Sequence, residues 1–514
     1  MKTYILLSVL CIFILNTQGQ TPPQGYVTLK GRQFYDGNGN PFYPLMMNYE
    51  MEYQYDNSFT NHWLNKYWEY GIENDGFENT NSIDAENEII SDLTIIRNIG
   101  FNMVRPEFTP KWDPVLKEFY LRGRTYGDPS VQYNLDSDDA RTYFDQPYAT
   151  NQAVLEYFTY MDWFIDQAGQ NNMYTMLNGV LGDVTDPDAF IPYKEYLDLL
   201  GKHFKFNTWL AFYDIINEPQ YVYNYAYSTP QYSKMQACEL VAEYYDALKD
   251  DNADPNHLVS GGNLVTEDVT LFDPSLLKLD FSQPHLYSES YTTYDNCNLT
   301  NKINRIKGST YWFSKNIPMP WINGETGFPS SDDPQYPKCN DLVCLVAGSN
   351  ADQQSYAEQI LQNTRDSKGS GFVWWVFQDG AWPDHGNALN GYGLLTLETG
   401  APKQAVTTFA NYLDPNNNYQ PPPASATLPA EPDNYRDPYV NKQFNPNEIG
   451  AVTGRVLDET GNGVDNAWVT AKNYLYVDYS LPQPEIVCSW INTYTDPDGY
   501  FKIIPLNTTD FMDP

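Results

Sequence analysis

The sequence predicts an α/β protein, a (β/α)8 barrel followed by a small C-terminal β-sandwich module. Three observations favour this fold. The chain has 514 residues, enough for two to four domains at roughly 100–200 residues each. Between residue 21 and about residue 415, short apolar segments alternate with helical patterns, as strands and helices do in a barrel. Beyond this region the pattern changes to a Pro- and Asn-rich stretch and then to short strands with turn residues.

Eight apolar segments are the candidate barrel strands. They lie at residues 42–47, 103–105, 173–177, 212–216, 258–260, 281–285, 321–324 and 371–377. Helical periodicity is clearest between them at residues 84–100, 150–168 and 235–249. The competing architecture, a doubly wound open sheet, would need a Gly-rich phosphate-binding turn after an early strand. The sequence has no such turn there.

The charge of the chain narrows the range of partners. Asp and Glu number 66 against 30 Lys and Arg, which gives a formal net charge of −36. Such a chain repels nucleic-acid phosphates and anionic bilayers, so we expect neither nucleic acid nor a membrane surface as a partner. Aromatic residues make up 16% of the chain, and Tyr and Trp can stack on a sugar while hydrogen-bonding to it. Composition alone does not distinguish such a site from an aromatic-rich core.

The first 20 residues predict a signal peptide. Lys2 precedes an apolar run from Tyr4 to Leu15, and Gly19 supplies a small residue near the cleavage point. No later apolar stretch approaches the length of about 18 residues that a membrane span needs. We therefore expect a secreted, extracellular protein that acts as a monomer and does not insert into a membrane.

The cysteine pattern predicts neither a metal site nor a cofactor. The sequence has no Cys-x-x-Cys pair and no His/Cys cluster of metal-ligand spacing. In an oxidising compartment one disulfide bond is expected among Cys297, Cys339 and Cys344, and the sequence leaves the pairing open.

Two changes in composition define the domains. The barrel domain is assigned to residues 21–415, and residues 416–447 form a linker rich in Pro and Asn. Residues 448–514 carry alternating strand patterns such as Ala-Trp-Val-Thr-Ala from Ala467, with an Asp-Pro-Asp-Gly turn from Asp496. These residues resemble the carboxypeptidase-regulatory-like β-sandwich modules of secreted bacterial proteins. Whether the module is complete at Pro514 is left open.

Two carboxylates stand where a barrel enzyme carries its chemistry, at the C-terminal ends of strands. Glu218 follows the segment Phe-Tyr-Asp-Ile-Ile-Asn and precedes Pro219, and Glu325 ends Trp-Ile-Asn-Gly-Glu. Two carboxyl groups that converge across a barrel suit glycoside hydrolysis, in which one protonates the leaving oxygen and the other attacks the anomeric carbon. Either glutamate alone would more often be a solvated loop residue, so the prediction depends on the whole set of residues.

Other polar and aromatic residues join this pair. Arg105 ends the second candidate strand, where a guanidinium can keep a carboxylate ionised. His285 and Tyr287 are two residues apart and therefore lie on one face of an extended chain. We expect Tyr287 to hydrogen-bond the nucleophile and His285 to lie beside the acid. Of the neighbouring residues Trp374 and Trp375, one is expected to face the barrel mouth as a stacking platform.

Taken in order, these residues resemble glycoside hydrolase family 5 and its clan of retaining (β/α)8 enzymes, over about residues 25–413. The resemblance implies that Glu218 is the acid/base, Glu325 the nucleophile and Asn217 a ligand of the sugar 2-hydroxyl. It places Arg105, His285, Tyr287 and Trp375 in the substrate site. The implied catalytic residues are therefore Glu218 and Glu325, and the implied substrate-binding residues are Arg105, Asn217, His285, Tyr287, Trp375 and Asn178. At Asn178 many members have His, whereas the mannanase branch often has Asn.

The sequence therefore predicts a secreted, retaining glycoside hydrolase that acts on a β-linked polysaccharide or oligosaccharide. The resemblance favours endo action on β-1,4-mannan or β-1,4-glucan, without a metal or an organic cofactor. The alternative is a non-catalytic carbohydrate-binding or adhesion protein built on a hydrolase-like barrel. Binding alone does not need a pair of carboxylates, so the presence of both Glu218 and Glu325 favours the enzyme.

Overall fold

The fold is known from a computed structural model, which describes most of the region between residues 21 and 503. The described residues are 21–55, 61–66, 81–125, 140–181, 186–218, 234–250, 252–263, 278–287, 299–332, 348–382, 388–397, 399–413, 430–433, 435–437, 439–441, 452–478 and 485–503. The predicted signal peptide and the three cysteines of the predicted disulfide bond lie outside them. No helix of the described part is long and apolar enough to cross a membrane.

Eight parallel strands form the centre of the molecule. In chain order they are Leu45–Tyr55, Met103–Glu107, Tyr174–Leu181, Leu210–Asn217, Leu258–Asn263, Gln283–Pro284, Asn323–Thr326 and Phe372–Trp374. From the first strand to the sixth, each pairs with the next one along the chain, and the first strand also pairs with the eighth, which pairs with the seventh. The sixth and seventh strands stand at the two ends of this path. Parallel bridges between Ser282 and Trp321 and between His285 and Glu325 connect these two ends.

Seven α-helices are present in the described part of the chain. They span Ser82–Ile99, Gln152–Gln170, Phe190–Phe204, Lys234–Lys249, Leu299–Asn316, Asn350–Asp366 and Val406–Tyr412. The three helices predicted from periodicity are confirmed to within two residues at each end. The first of them begins after the N-cap Asn81 and ends at Gly100, which has a φ of 118°. A residue with a side chain is strained at such an angle, so glycine suits this end of the helix.

The helices cover the strands because each buries one apolar stripe. In the first helix Ile89, Leu93 and Ile96 are fully buried, at the spacing of one helix face. The parallel strands also contribute many fully buried apolar side chains to the same core. The α/β class predicted from the sequence is thereby confirmed.

Additional strands extend the first parallel strand beyond the central sheet. This strand runs on to Tyr55, where the prediction ended at residue 47, and its far half pairs with His62–Lys66 and Glu118–Thr125. Strands Lys111–Asp113 and Ala140–Phe144 pair with Glu118–Thr125 from its two sides. These additional strands lie at the C-terminal end of the parallel strands, the end at which Glu218 and Glu325 are found. Shorter strands elsewhere are Thr28–Lys30, Gln33–Tyr35, Pro41–Phe42, Gly380–Trp382 and Ala388–Asn390.

The C-terminal region forms two antiparallel sheets. Strand Glu485–Tyr494 lies between Trp468–Asp478 and Tyr439–Asn441, and Val452–Arg455 pairs with Tyr500–Ile503. One of these strands, Tyr439–Asn441, lies within the stretch predicted to be a linker. The region packs on helix Leu299–Asn316, where the Trp312 Nε1 donates to the Asn466 carbonyl at 2.9 Å. Antiparallel sheets are what the predicted β-sandwich module requires.

Candidate active site

The C-terminal ends of the parallel strands bring a buried cluster of polar side chains together. Six strands or the residues that directly follow them contribute to it. Its members are Asn48, Arg105, Glu107, Asn178, Asp214, Asn217, Glu218, His285 and Glu325. All the polar residues predicted as site residues from the sequence lie in or beside this cluster. The structure therefore brings together residues that are up to 277 positions apart in the chain.

Arg105 lies at the centre of the cluster and is fully buried. Its Nη2 donates to Asp214 Oδ2 at 2.7 Å and to Asn217 Oδ1 at 2.6 Å, and also to Asn178 Oδ1 at 2.9 Å. Its Nη1 lies 3.2 Å from Glu325 Oε1. Burial alone would lower the pKa of the guanidinium, but the carboxylates around it, Asp214 foremost, raise that pKa instead. Arg105 therefore remains a cation.

His285 joins the two glutamates. Its Nδ1 lies 2.9 Å from Glu218 Oε1 and 3.0 Å from Glu325 Oε2. One carboxylate oxygen of each glutamate and a ring nitrogen of His285 all lie within 4.8 Å of one another. The side chain of His285 has no exposed surface, and those of Glu218 and Glu325 are 11% and 6% exposed. The two carboxyl groups thus face each other across a single imidazole.

The charges in this group stabilise one another. Burial alone would raise the pKa of Glu325, but His285, Arg105 and a hydrogen bond from Tyr287 lower it to about 2. Burial would likewise lower the pKa of His285, but the charge of Glu325 and the hydrogen bonds to Glu218 and Glu325 raise it to about 9. At neutral pH Glu325 is therefore an anion and His285 a cation.

Glu218 occupies a strained backbone position directly after the fourth parallel strand. Its φ is 51°, in the left-handed region that residues other than glycine rarely adopt. The Glu218 N–H donates to the Gly262 carbonyl at 2.8 Å, which holds this backbone against the fifth strand. Such strain costs on the order of 1–3 kcal/mol and is concentrated at functional sites. The turn directs the carboxyl group towards His285.

Gly262 leaves room for the cluster, and this gives a first prediction. A Cβ at this position would lie 2.7 Å from His285 Nε2 and 3.0 Å from Asn217 Oδ1. We expect Gly262→Ala to lower the free energy of unfolding by about 1–3 kcal/mol, because these buried groups must move. Urea unfolding measures the change.

The neighbouring glycine provides the matched control. A Cβ at Gly261 would have only ordinary contacts, at 3.6 Å and 3.7 Å from atoms of Ile216. Gly261→Ala should leave the stability unchanged or raise it by about 0.4–1 kcal/mol, because alanine reduces the freedom of the unfolded chain. Equal losses in the two variants would contradict the close packing at Gly262.

Aromatic rings line one side of the cluster. Trp375 is partly exposed, and its ring lies 4.9 Å from that of Tyr392 and 6.4 Å from that of Tyr287. Trp374 is fully buried, and its Nε1 donates to the Tyr392 carbonyl at 3.1 Å. Of the two tryptophans, Trp375 is therefore the one whose ring can meet a ligand.

Three members of the cluster were not predicted from the sequence. Asn48 Nδ2 donates to Glu325 Oε1 at 2.5 Å and to Glu107 Oε1 at 2.9 Å. Asp214 is the innermost anion, bound to Arg105. Asp214 lies inside a fully buried, mostly apolar strand, whereas Asn48 shares its strand with Glu50 and Glu52. Neither position alone indicates a functional role. Glu107 follows Arg105 by two residues and therefore lies on the same face of its strand.

One group in the described part of the chain has the composition of a metal site. It consists of Glu218, His285 and Glu325. A histidine binds a metal through the lone pair of a neutral imidazole. Here the Nδ1 that faces the carboxylates holds a proton between them, and the pKa of the ring is raised to about 9. The same geometry suits a proton on Nδ1 that both carboxylates share.

Comparison with known proteins gives distant structural likenesses. No family model matches the chain, and no curated protein matches it. The exo-β-1,4-mannosidase of Opitutaceae bacterium strain TAV5 has a TM-score of 0.48 and 16% identity, over 75% of this chain and 61% of that one. This chain therefore spans less than two thirds of that mannosidase.

Two further solved structures are similar at the same level. A GH5_18 enzyme of Streptomyces cattleya, solved with Manβ1-4GlcNAc, has a TM-score of 0.47 and 16% identity, over 65% of this chain and 76% of that one. The β-glucuronidase of Ruminococcus gnavus has a TM-score of 0.45 and 13% identity, over 75% of this chain and 52% of that one. The activities in these names are those of the other proteins.

Proposed function

We propose that the protein is a retaining glycoside hydrolase that cleaves β-linked glycans. The observation that carries this proposal is the close approach of Glu218 and Glu325, whose oxygens lie within 4.8 Å of each other. Retaining enzymes hold their two carboxyl groups about 5–5.5 Å apart, whereas inverting enzymes need about 6.5–9.5 Å to admit a water molecule. The spacing therefore favours a double displacement through a covalent intermediate.

The first half of the reaction forms that intermediate. Glu325, the ionised member of the pair, attacks the anomeric carbon while Glu218 gives its proton to the leaving oxygen. Asn217 is oriented for the sugar 2-hydroxyl, because its Oδ1 accepts from Arg105 and its amide N–H groups remain for a ligand. Trp375 supplies an apolar ring face against which the sugar can stack.

The second half returns the enzyme to its starting state. Glu218, now an anion, takes a proton from water as the water attacks the anomeric carbon, and Glu325 leaves as a carboxylate. Negative charge thus passes from Glu325 to Glu218 and back. Since the Nδ1 of His285 is 2.9 Å from one carboxylate and 3.0 Å from the other, the same imidazolium can stabilise whichever is charged.

The scaffold we infer is a (β/α)8 barrel. The strand order follows the chain, and the bridges between residues 282 and 321 and between residues 285 and 325 support closure of the eight strands into a ring. Barrel enzymes carry their reactive groups at the C-terminal ends of the strands. The nine clustered polar residues lie at that end.

The finer assignment is endo action on β-1,4-mannan or β-1,4-glucan by a secreted enzyme. Its support is the sequence resemblance to the cellulase and mannanase clan, together with Asn178 in the third parallel strand. A panel of soluble β-1,4-mannan, β-1,4-glucan and β-1,4-xylan, assayed for reducing ends and for loss of viscosity, tests both parts. Endo action predicts that viscosity falls before many reducing ends appear.

The stereochemistry of the product tests the mechanism and is the second prediction. Hydrolysis of a β-linked substrate should release the β-anomer first, because two inversions restore the configuration. Proton NMR, recorded faster than mutarotation, observes the anomeric signal directly. An α-anomer as the first product would exclude the double displacement, and no hydrolysis of any β-glycan would contradict the proposed function.

A further inference from the structure

A third carboxyl group shares the donors that hold the nucleophile. Glu107 Oε1 accepts from Asn48 Nδ2 at 2.9 Å and lies 3.2 Å from Arg105 Nη1. Asn48 Nδ2 and Arg105 Nη1 also donate to Glu325 Oε1, at 2.5 Å and 3.2 Å respectively. Each donor therefore serves two carboxyl groups at once. How strongly Glu325 is held depends on how strongly Glu107 attracts the same donors.

The surroundings of Glu107 disfavour a negative charge on it. Its side chain is only 15% exposed. A hydrogen bond from Glu50, on the first strand, acts in the opposite direction and lowers the pKa of Glu107, because a donor stabilises the carboxylate. Burial and the charges of Glu325 and Glu218 together raise the pKa of Glu107 to about 8, although Arg105 and the hydrogen bond from Glu50 act to lower it.

We propose that Glu107 is a positioning residue that acts on the nucleophile through Asn48 and Arg105, an inference that rests on the proposed function. When its carboxyl group is protonated, it is a weak acceptor and leaves both donors to Glu325. When it ionises, it competes for both donors and loosens the nucleophile. Ionisation of Glu107 would then lower the activity on the basic side of the pH optimum.

The proposal gives the third prediction, a change in the pH profile of one variant. Glutamine has the shape and neutral charge of a protonated glutamate. In Glu107→Gln, kcat/KM near pH 6 should stay within about threefold of the wild type, and the basic limb should move up by about one pH unit or more. Glu107→Asp, which keeps a titratable group, should retain a basic limb. The assay uses the β-glycan of the panel that the wild type hydrolyses.

Two results would overturn the proposal. One is an unchanged basic limb in Glu107→Gln while the wild type is active. The other is a loss of more than about tenfold near pH 6 with the fold intact, because a glutamine that mimics the active state should not be harmful. Failure of the wild type to hydrolyse any β-glycan would instead count against the proposed function.

A stability measurement tests the proton on Glu107 without any substrate. An acid whose pKa is raised in the folded state binds its proton more tightly there than in the unfolded chain, so folding stability falls as pH rises from its unfolded pKa to its folded pKa. The urea midpoint of the wild type should therefore fall relative to that of Glu107→Gln between about pH 5 and pH 8. If the urea midpoints of the two proteins instead changed equally with pH over this range, Glu107 would not be protonated in the folded state, and the proposal would be wrong.

Discussion

Replacing Glu325 by glutamine should lower kcat/KM by at least about 10⁴-fold, because no covalent intermediate can form without the nucleophile. The substitution keeps the size of the side chain, so Asn48 and Arg105 retain an amide oxygen as acceptor. What is lost is the negative charge of Glu325, which His285 and Arg105 stabilise against the effect of burial, so that the pKa of Glu325 is lowered to about 2. Steady-state kinetics on the preferred β-glycan measure the loss.

A small anion should distinguish a missing nucleophile from a damaged site. In Glu325→Ala, azide can enter the space of the carboxylate and attack the anomeric carbon, with Glu218 still acting as the acid. The product should be an α-glycosyl azide, inverted relative to the β-linked substrate, and NMR identifies it. A retained azide product from this variant would show that the roles of the two glutamates are reversed.

The control should be a glutamate that plays no part in the cluster. Glu243 forms an exposed ion pair with Lys194 at 2.8 Å, and exposed pairs contribute little to stability. Glu243→Gln should therefore keep the activity and the stability of the wild type. A comparable loss of activity in this variant would indicate that the effect at Glu325 is not specific.

The core of the fold could be predicted because each buried parallel strand appears in the sequence as a short apolar run with a defined end. All eight predicted segments overlap a parallel strand, and the polar residues at their ends meet in the cluster. Helix Asn350–Asp366 was not predicted, because its sequence is largely polar and it depends on a capping box from Ser349 and Asp352. The sheet around Glu118–Thr125 was also missed, since its pairing with residues 53–55 cannot be read from local periodicity.

In the site, the reacting glutamates and some of the residues that support them, such as Arg105 and His285, were predicted from the sequence. Three other supporting residues were not: Asn48, Glu107 and Asp214. Glu218 and Glu325 stand out because each follows an apolar run directly. Asp214 lies inside such a run, where an acidic residue has meaning only once Arg105 is known to lie 2.7 Å away. Contacts of this kind join distant strands, so one sequence without the fold does not reveal them. The shared position of His285 between the two carboxylates is likewise a property of the folded chain.

The burial of so many charges explains why the cluster needs all its members. Removing one partner of a buried ion pair typically costs 3–5 kcal/mol, because the other charge is left uncompensated. Asp214 is fully buried, and burial raises its pKa although Arg105 and His285 act to lower it. The supporting residues therefore hold the charges at fixed distances, and the site has little freedom to relax when charge passes from Glu325 to Glu218.

Replacing Glu218 by alanine should cost about 10²–10⁴-fold in kcat/KM on a polysaccharide, the range that general acid catalysis contributes. The loss should depend on the leaving group. A natural sugar alcohol needs the proton of Glu218 to depart, whereas 2,4-dinitrophenolate leaves without it. We therefore expect the first step to be nearly normal on a 2,4-dinitrophenyl β-glycoside, and the second step to be slow because water lacks its general base.

This difference between the two steps gives a sharp test of the acid/base role. With the dinitrophenyl substrate, Glu218→Ala should release a burst of one equivalent of dinitrophenolate and then turn over slowly as the glycosyl-enzyme accumulates. Azide needs no general base, so it should accelerate the slow phase and give a β-glycosyl azide, with the configuration of the substrate retained. His285 would keep its other carboxylate neighbour, Glu325, 3.0 Å from Nδ1, so the nucleophile should remain ionised. The absence of a burst, together with an equal loss on both leaving groups, would mean that Glu218 does not transfer the proton.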